Sequence, residues 1–279
     1  MNLRDSHKEP LTADMIPEPG LYNLTLLIRP DSLDALVSSR VDDGVTIHRR
    51  FDYAPGSDPV AALEETVYDN PLLVSDFHDV RVVVDNDRFF VMDASDVTES
   101  ELKRRIECLW PDSRRDTELQ PLVSEIESEK NVLVSAVERP LMAFVNRTWN
   151  NPAAVHRMAV LARFHVLRNK MGNMGKIHVH LHENSTDIVV CGRSGILLVN
   201  SFATRTVEDA AYYALAVASH LSFDNESDRV LVNGPAALRD SFTALMRRFI
   251  PFVMPEIKPS AIASLPADIP VELPISRLI

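Results

Sequence analysis

Residues 176–217 read KIHVHLHENSTDIVVCGRSGILLVNSFATRTVEDAAYYALAV. Three runs of strand-forming residues, 176–182, 186–191 and 196–202, are joined by Glu-Asn-Ser and Gly-Arg-Ser-Gly turns, the pattern of an antiparallel meander. A helix follows. Thr206 with Asp209 three residues later resembles a capping box, and Tyr213, Val217 and Leu221 fall on one helical face. RVLVNG at 229–234 reads as a strand closed by an Asn-Gly-Pro turn, and residues 237–249 as an amphipathic helix.

The same grammar opens the chain. LYNLTLLI (21–28), SLDALVS (32–38) and VTIHRRFDY (45–53) are separated by Arg-Pro-Asp and Asp-Asp-Gly, and a helix begins where Asp58 caps Pro59, with Val60, Leu63 and Val67 on one side. From helix start to the next strand is 21 residues in both halves, 59 to 80 and 207 to 228. This is structural repetition without evident sequence repetition. Between the repeats, VRVVV (80–84) meets RFFVM (88–92) as an expected hairpin, and residues 99–109 and 117–129 read as charged helices. Residues 131–137 read as a buried strand, and 140–149 and 157–170 as helices. The expected division is a flexible leader (1–19), a first half (20–170), a second half (171–254) and an extended proline-bearing tail (255–279), too apolar to be left entirely in water.

At 279 residues, 46% hydrophobic and 25% charged, the composition is that of a globular chain with a sizeable core. A net charge of −11 repels polyanions, so neither nucleic acid nor an anionic membrane is an expected partner. Cys108 and Cys191 form no CxxC pair and the N-terminus lacks an apolar signal core, which points to a soluble protein in a reducing cytoplasm. Glycine is sparse, 8 residues, and loops that cradle phosphate depend on glycine.

The order of three antiparallel strands, helix and parallel strand, given twice, resembles the actin-like ATPase superfamily. More specifically, Asn184, Asp187, Leu198, Asn200, Phe202, Thr206, Glu208, Asp209, Tyr212 and Tyr213 resemble the pattern of an uncharacterised bacterial family, domain of unknown function 3822. The resemblance implies a duplicated α/β, ribonuclease H-like fold with two similar halves around a cleft, and no assigned activity. It also implies that the first turn of each half would face a nucleotide.

Those turns are poor phosphate binders. The first, with Asp31 and Ser32, contains Pro30, which removes a donor, and no glycine. The second, with Asn184, Ser185 and Thr186, places Glu183 where a triphosphate would sit, and Asn233-Gly234 keeps one glycine for an adenosine contact. These seven residues are the cleft candidates. No Gly-x-Ser-x-Gly elbow, Gly-x-x-x-x-Gly-Lys loop or His-Glu-x-x-His helix is present, so no catalytic residue is nominated and no cofactor is expected. His178, His180 and His182 alternate along one strand and share a sheet face, a spacing that permits a metal with Cys191 or Glu183 as the fourth ligand. A half-buried structural face is the plainer reading of these histidines. Tyr212-Tyr213 reads as packing, and the basic cluster at 103–105 and 114–115, interleaved with acids, as a solvated surface. The expected function is a catalytically inactive binding or assembly module with a protein partner. The alternatives are a divergent ATPase or kinase and a metal-dependent enzyme built on the histidine strand.

Overall fold

The computed structural model describes residues 10–41, 46–111, 118–128, 130–169, 174–224, 226–259, 265 and 269–279. The Asp-Asp-Gly turn, the first nine residues of the expected leader, and Arg114 and Arg115 lie outside them.

Strands β1 (Tyr22–Ile28), β2 (Ser32–Ser39), β3 (Thr46–Asp52) and β4 (Asp79–Val84) join one sheet. Strands β5 (Phe89–Asp93), β6 (Leu119–Glu127) and β7 (Asn131–Glu138) form a small sheet in the order β5-β7-β6, and β8 (Ala153–His156) returns to the first. The first sheet runs β3-β2-β1-β4-β8. A second sheet, from β9 (Lys176–Leu181), β10 (Ser185–Gly192), β11 (Gly195–Ala203), β12 (Arg229–Asn233) and β13 (Val253–Pro255), runs β11-β10-β9-β12-β13. Each five-stranded sheet has an antiparallel meander, then two parallel strands, and β1 and β9 are central as their apolar runs require.

Helix α1 (Pro59–Asp69) is capped as expected, the Asp58 carboxylate accepting from Ala61 N–H at 2.8 Å. Helices α2 (Glu99–Leu109) and α3 (Arg139–Thr148) cover the first half. Helix α4 (Arg157–Asn169) follows β8 directly. In the second half α5 (Val207–His220) carries the full capping box, Thr206 Oγ1 accepting from Asp209 N–H and Asp209 accepting from Thr206 N–H, and α6 (Ala236–Met246) packs beside it. A last turn, α7 (Glu272–Ile275), lies in the tail.

Four expectations give way. VRVVV and RFFVM do not pair: β4 lies between β1 and β8, while β5 joins β7. The buried Val82, Val83 and Val84 suit a parallel sheet, and Asn86, donating to the Ala136 carbonyl at 3.2 Å, turns the chain toward the small sheet. Residues 119–127 are strand, with Ser124 and Ile126 buried and Val123 and Glu125 exposed in the period of two. Pro121 is tolerated because β6 is an edge. The leader is ordered from Pro10: Leu11 and Ile16 are buried, and Leu11 N–H donates to Asn70 Oδ1 at 2.7 Å. The tail is not extended throughout, since Pro274 sits within the first turn of α7, where its missing N–H is not needed.

Helix α4 is apolar along most of its length because ten of its thirteen residues are buried. Leu27, Leu36 and Val83 of the first sheet meet Met158, Leu161 and Ala162 of α4, Val189 and Cys191 of the second sheet, and Ile269, Leu273 and Ile275 of the tail in one cluster. The space between the halves is therefore filled by α4 and the tail. Arg277 fixes the tail to the first sheet through Asp79, the Leu24 carbonyl and Thr25 Oγ1. The β8–α4 junction is held by His156, whose Nδ1 accepts from Met158 N–H at 3.2 Å while Nε2 donates to the Asn86 carbonyl at 3.1 Å. Burial pushes this imidazole down to about 4, with Asp85 opposing.

Two outcomes follow from this packing. Ending the chain at Lys258 removes Ile269, Leu273 and Ile275 from the shared core, and at ~1.5–3 kcal/mol per buried aliphatic side chain the melting temperature will fall by well over 5 °C in calorimetry. Below the ordinary histidine pKa the unfolded chain takes up a proton that folded His156 refuses, so stability falls as pH drops from about 6.5 toward 4, by about 3 kcal/mol from this group. Urea midpoints at pH 7 and pH 4 will show a smaller decline for His156→Gln than for the parent chain.

Candidate functional site

The two meander turns are built alike. Arg29 N–H donates to the Ser32 carbonyl and His182 N–H to the Ser185 carbonyl, both at 2.9 Å. Two residues into the strand that follows lies a fully buried aspartate, Asp34 in β2 and Asp187 in β10. In each half the basic residue that opens the turn folds back on it, Arg29 onto Asp34 and His182 Nε2 onto Asp187 Oδ2 at 2.7 Å.

Charge pairing continues from one turn to the other. His48 Nε2 lies 2.7 Å from Asp34 Oδ1, and Arg29 Nε lies 3.5 Å from Asp85 in the loop after β4. The other oxygen of Asp85 is 2.8 Å from Arg157 Nε at the start of α4. Arg157 then grips Asp187 with both terminal nitrogens, Nη2 at 3.1 Å, and Nη1 also reaches Glu272 of α7 at 3.2 Å. Burial works to raise the Asp187 carboxyl, but the Arg157 guanidinium and the His182 imidazole hold it well below the usual carboxylate range. Burial likewise opposes Arg157 in lowering Glu272, and the guanidinium wins. Burial would depress His182, yet its bond to Asp187 leaves it raised. The region between the turns is thus occupied by the protein's own ion pairs, with a carboxylate from the tail among them.

The cleft candidates are spent locally. Asp31 accepts from Ser32 Oγ at 2.9 Å, Thr186 bonds Thr204 across the meander at 2.9 Å, and Asn233 Oδ1 accepts from Gly234 N–H at 2.8 Å. Gly234 has φ +130° and an added Cβ would lie 2.6 Å from the Leu181 carbonyl, so this glycine serves close approach to the end of β9. Ser185 and Asn184 close the hairpin, and Asn184 borders an open depression of about 620 Å3 with Arg205, Asp209 and the exposed Tyr212. Tyr213 is packing, as expected, stacked on Phe202 at 4.4 Å, whereas Tyr212 is not. Among the described residues no hydrogen bond joins Asp31 or Ser32 to Asn184, Ser185 or Thr186.

The histidine trio separates. His182, one residue past the end of β9, meets Asp187, whereas His178 and His180 alternate along the strand and lie under α4. There His165 of α4 stacks on His178 with ring centroids 3.7 Å apart, and its Nε2 lies 2.8 Å from His180 Nε2. Glu256, just past β13, faces the group, 3.1 Å from His178 Nδ1 and 3.4 Å from His165 Nδ1. Burial holds His165 and His180 below the ordinary imidazole range. Cys191 is buried in the shared apolar core, which pushes its thiol up to about 12, and Glu183 points into solvent. Two groups have metal-ligand spacing among the described residues, His165/His178/Glu256 and His182/Asp187/Glu272.

Arg157, His165, Asp85, Glu256 and Glu272 were not marked by any motif. The one available signal was two arginines, Arg157 and Arg163, and a histidine inside the otherwise apolar run 157–166.

Comparison with known proteins fits this geometry. A protein of actin-like ATPase fold and unknown function from Bacteroides thetaiotaomicron VPI-5482 superposes with a TM-score of 0.74 at 16% identity, covering 86% of this chain and 92% of that one. Weaker likenesses are a PilM-PilN type IV pilus biogenesis complex (TM-score 0.47, 14% identity, 85% of this chain and 89% of that chain) and the ethanolamine utilization protein EutJ from Carboxydothermus hydrogenoformans (0.44, 12%, 95% and 90%). No curated protein matches the chain. The fold is therefore the actin-like ATPase fold, and, with its model matching residues 14–253, the chain belongs to the family described as protein of unknown function (DUF3822).

Proposed function

We propose that this chain is an actin-like module that does not hydrolyse ATP and that acts by binding another protein in the cytoplasm. The observation that carries the reading is the set of ion pairs on Arg157, which joins Asp85, Asp187 and Glu272 where the two turns converge. An ATPase of this fold would need free backbone donors and a carboxylate for the metal's water shell there. Here Pro30 removes a donor, Asp34 and Asp187 are each neutralised by the residue that opens their own turn, and Glu272 adds a negative charge from the tail. A triphosphate entering this space would meet carboxylates and would have to break buried pairs to recruit the guanidinium.

With nucleotide chemistry set aside, the surface supplies the function. Tyr212, Phe249, Phe252, Met254 and Ile257 are exposed aromatic or aliphatic side chains in the second half, of the kind enriched at protein interfaces. The two cysteines, both free, suit a reducing compartment.

Two measurements test the reading. Differential scanning calorimetry with Mg-ATP up to about millimolar will show no upward shift; binding at a hundred times Kd would add about 2.7 kcal/mol. Saturable micromolar binding, or phosphate release above a no-protein control, would install a divergent ATPase in its place. Arg157→Met will destabilise by about 3–5 kcal/mol in urea unfolding at pH 7, because the buried Asp187 and Glu272 and the half-buried Asp85 lose their shared cation. A loss under 1 kcal/mol would mean that the pairs do not hold the inter-half space closed.

A further inference from the structure

The two groups with metal-ligand spacing differ in one decisive respect. In the group formed by His182, Asp187 and Glu272 the position of a cation is already taken by the Arg157 guanidinium. In the group formed by His165, His178 and Glu256 it is not. Glu256 is buried to 7% side-chain exposure, and its ion-pair partners among the described residues are three imidazoles only. Arg168 of α4 donates to the Ile257 carbonyl at 3.2 Å and lies over the Phe164 ring. A buried carboxylate without a full counter-charge is costly, and structures resolve it with a proton or a metal ion.

The nitrogens tell the same story. His165 Nδ1 is buried and has no hydrogen-bond partner, and His178 Nδ1 faces Glu256 at 3.1 Å. If His165 Nε2–H donates to His180 Nε2, the Nδ1 lone pair of His165 is aimed at a carboxylate oxygen 3.4 Å away. Two negative ends at that distance repel unless a cation lies between them. Tetrahedral metal ligands at bond lengths of about 2.0–2.1 Å stand roughly 3.3 Å apart, and the two Glu256–histidine edges measure 3.1 and 3.4 Å. The stacked rings must splay for both lone pairs to reach one ion.

We infer that His165, His178 and Glu256 bind a divalent transition-metal ion of the zinc class, with His180 orienting His165 through its Nε2. Imidazole and carboxylate donors suit such an ion, and one coordination position is left for water. A hydrogen bond on the far nitrogen of a ligating histidine is the usual device for fixing its tautomer. The ligands come from α4, β9 and the segment after β13, so the ion would tie the inter-half helix, the central strand of the second sheet and the root of the tail together.

The test uses the full chain, purified without chelator and freed of any affinity tag. Elemental analysis and calorimetric titration with zinc sulfate will give one equivalent of zinc per chain, and cobalt(II) will report the nitrogen and oxygen donors by its visible spectrum. Glu256→Gln, nearly isosteric, and His178→Gln will each weaken zinc binding by more than about tenfold. His182→Gln, one residue past the end of β9, will bind as the parent does. Circular dichroism confirms that each variant is folded, and if His178→Gln is not, Glu256→Gln alone decides. Absence of saturable zinc uptake below about millimolar by the folded parent chain overturns the inference and leaves a protein-only hydrogen-bonded cluster. Unchanged affinity in Glu256→Gln, or equal loss in His182→Gln, overturns it as well. None of these readings involves nucleotide, so they stand or fall apart from the ATP measurements.

Discussion

Arg157 is the constraint around which the two halves are assembled. It is the first residue of the helix between the sheets, and its guanidinium touches a carboxylate from each half and one from the tail. A charged group this deep is tolerated only because its partners are in place, and each partner is tolerated because Arg157 is there. The halves, α4 and the tail therefore form a single electrostatic unit. The apolar cluster around Leu161, Val189 and Leu273 supplies the burial that keeps water away from it.

Duplication gives the site its form, and divergence gives it its asymmetry. Both turns place a buried aspartate at the same register and neutralise it from the residue that opens the turn. In the first half that residue is Arg29, charged at any accessible pH. In the second it is His182, whose charge depends on Asp187 to persist. Each aspartate also has a second basic partner, His48 on Asp34 and Arg157 on Asp187. Nothing in this arrangement is left to be paid by a ligand: the protein meets its own charge.

The tail links the two buried polar clusters. Glu256 lies at its root beside the histidines and Glu272 near its end beside Arg157, while Arg277 fastens it to the first sheet. Ile269, Leu273 and Ile275 of the tail pack with the apolar side chains of α4 in the shared cluster.

The sequence by itself determined the elements and their repetition. Local signals sufficed for both meanders, for the caps at Asp58 and Thr206 and for the central place of β1 and β9, because period and capping are written within a few residues. The missing glycines and Pro30 in the turns were equally local. Partners across the molecule were not. VRVVV followed by RFFVM has the grammar of a hairpin, and only competition from β1 and β8 for the edges of β4 sends RFFVM to another sheet. His178, His180 and His182 alternate in the sequence, but whether they form one site depends on what lies opposite. Helix α4 brings His165 to the first two, and Asp187 claims the third. Arg157 and Glu272 are 115 residues apart, and Asp85 and Asp187 belong to different halves. No spacing rule joins such residues, since a contact between distant segments is fixed by how the sheets and α4 pack, and that packing is decided only when the whole core closes.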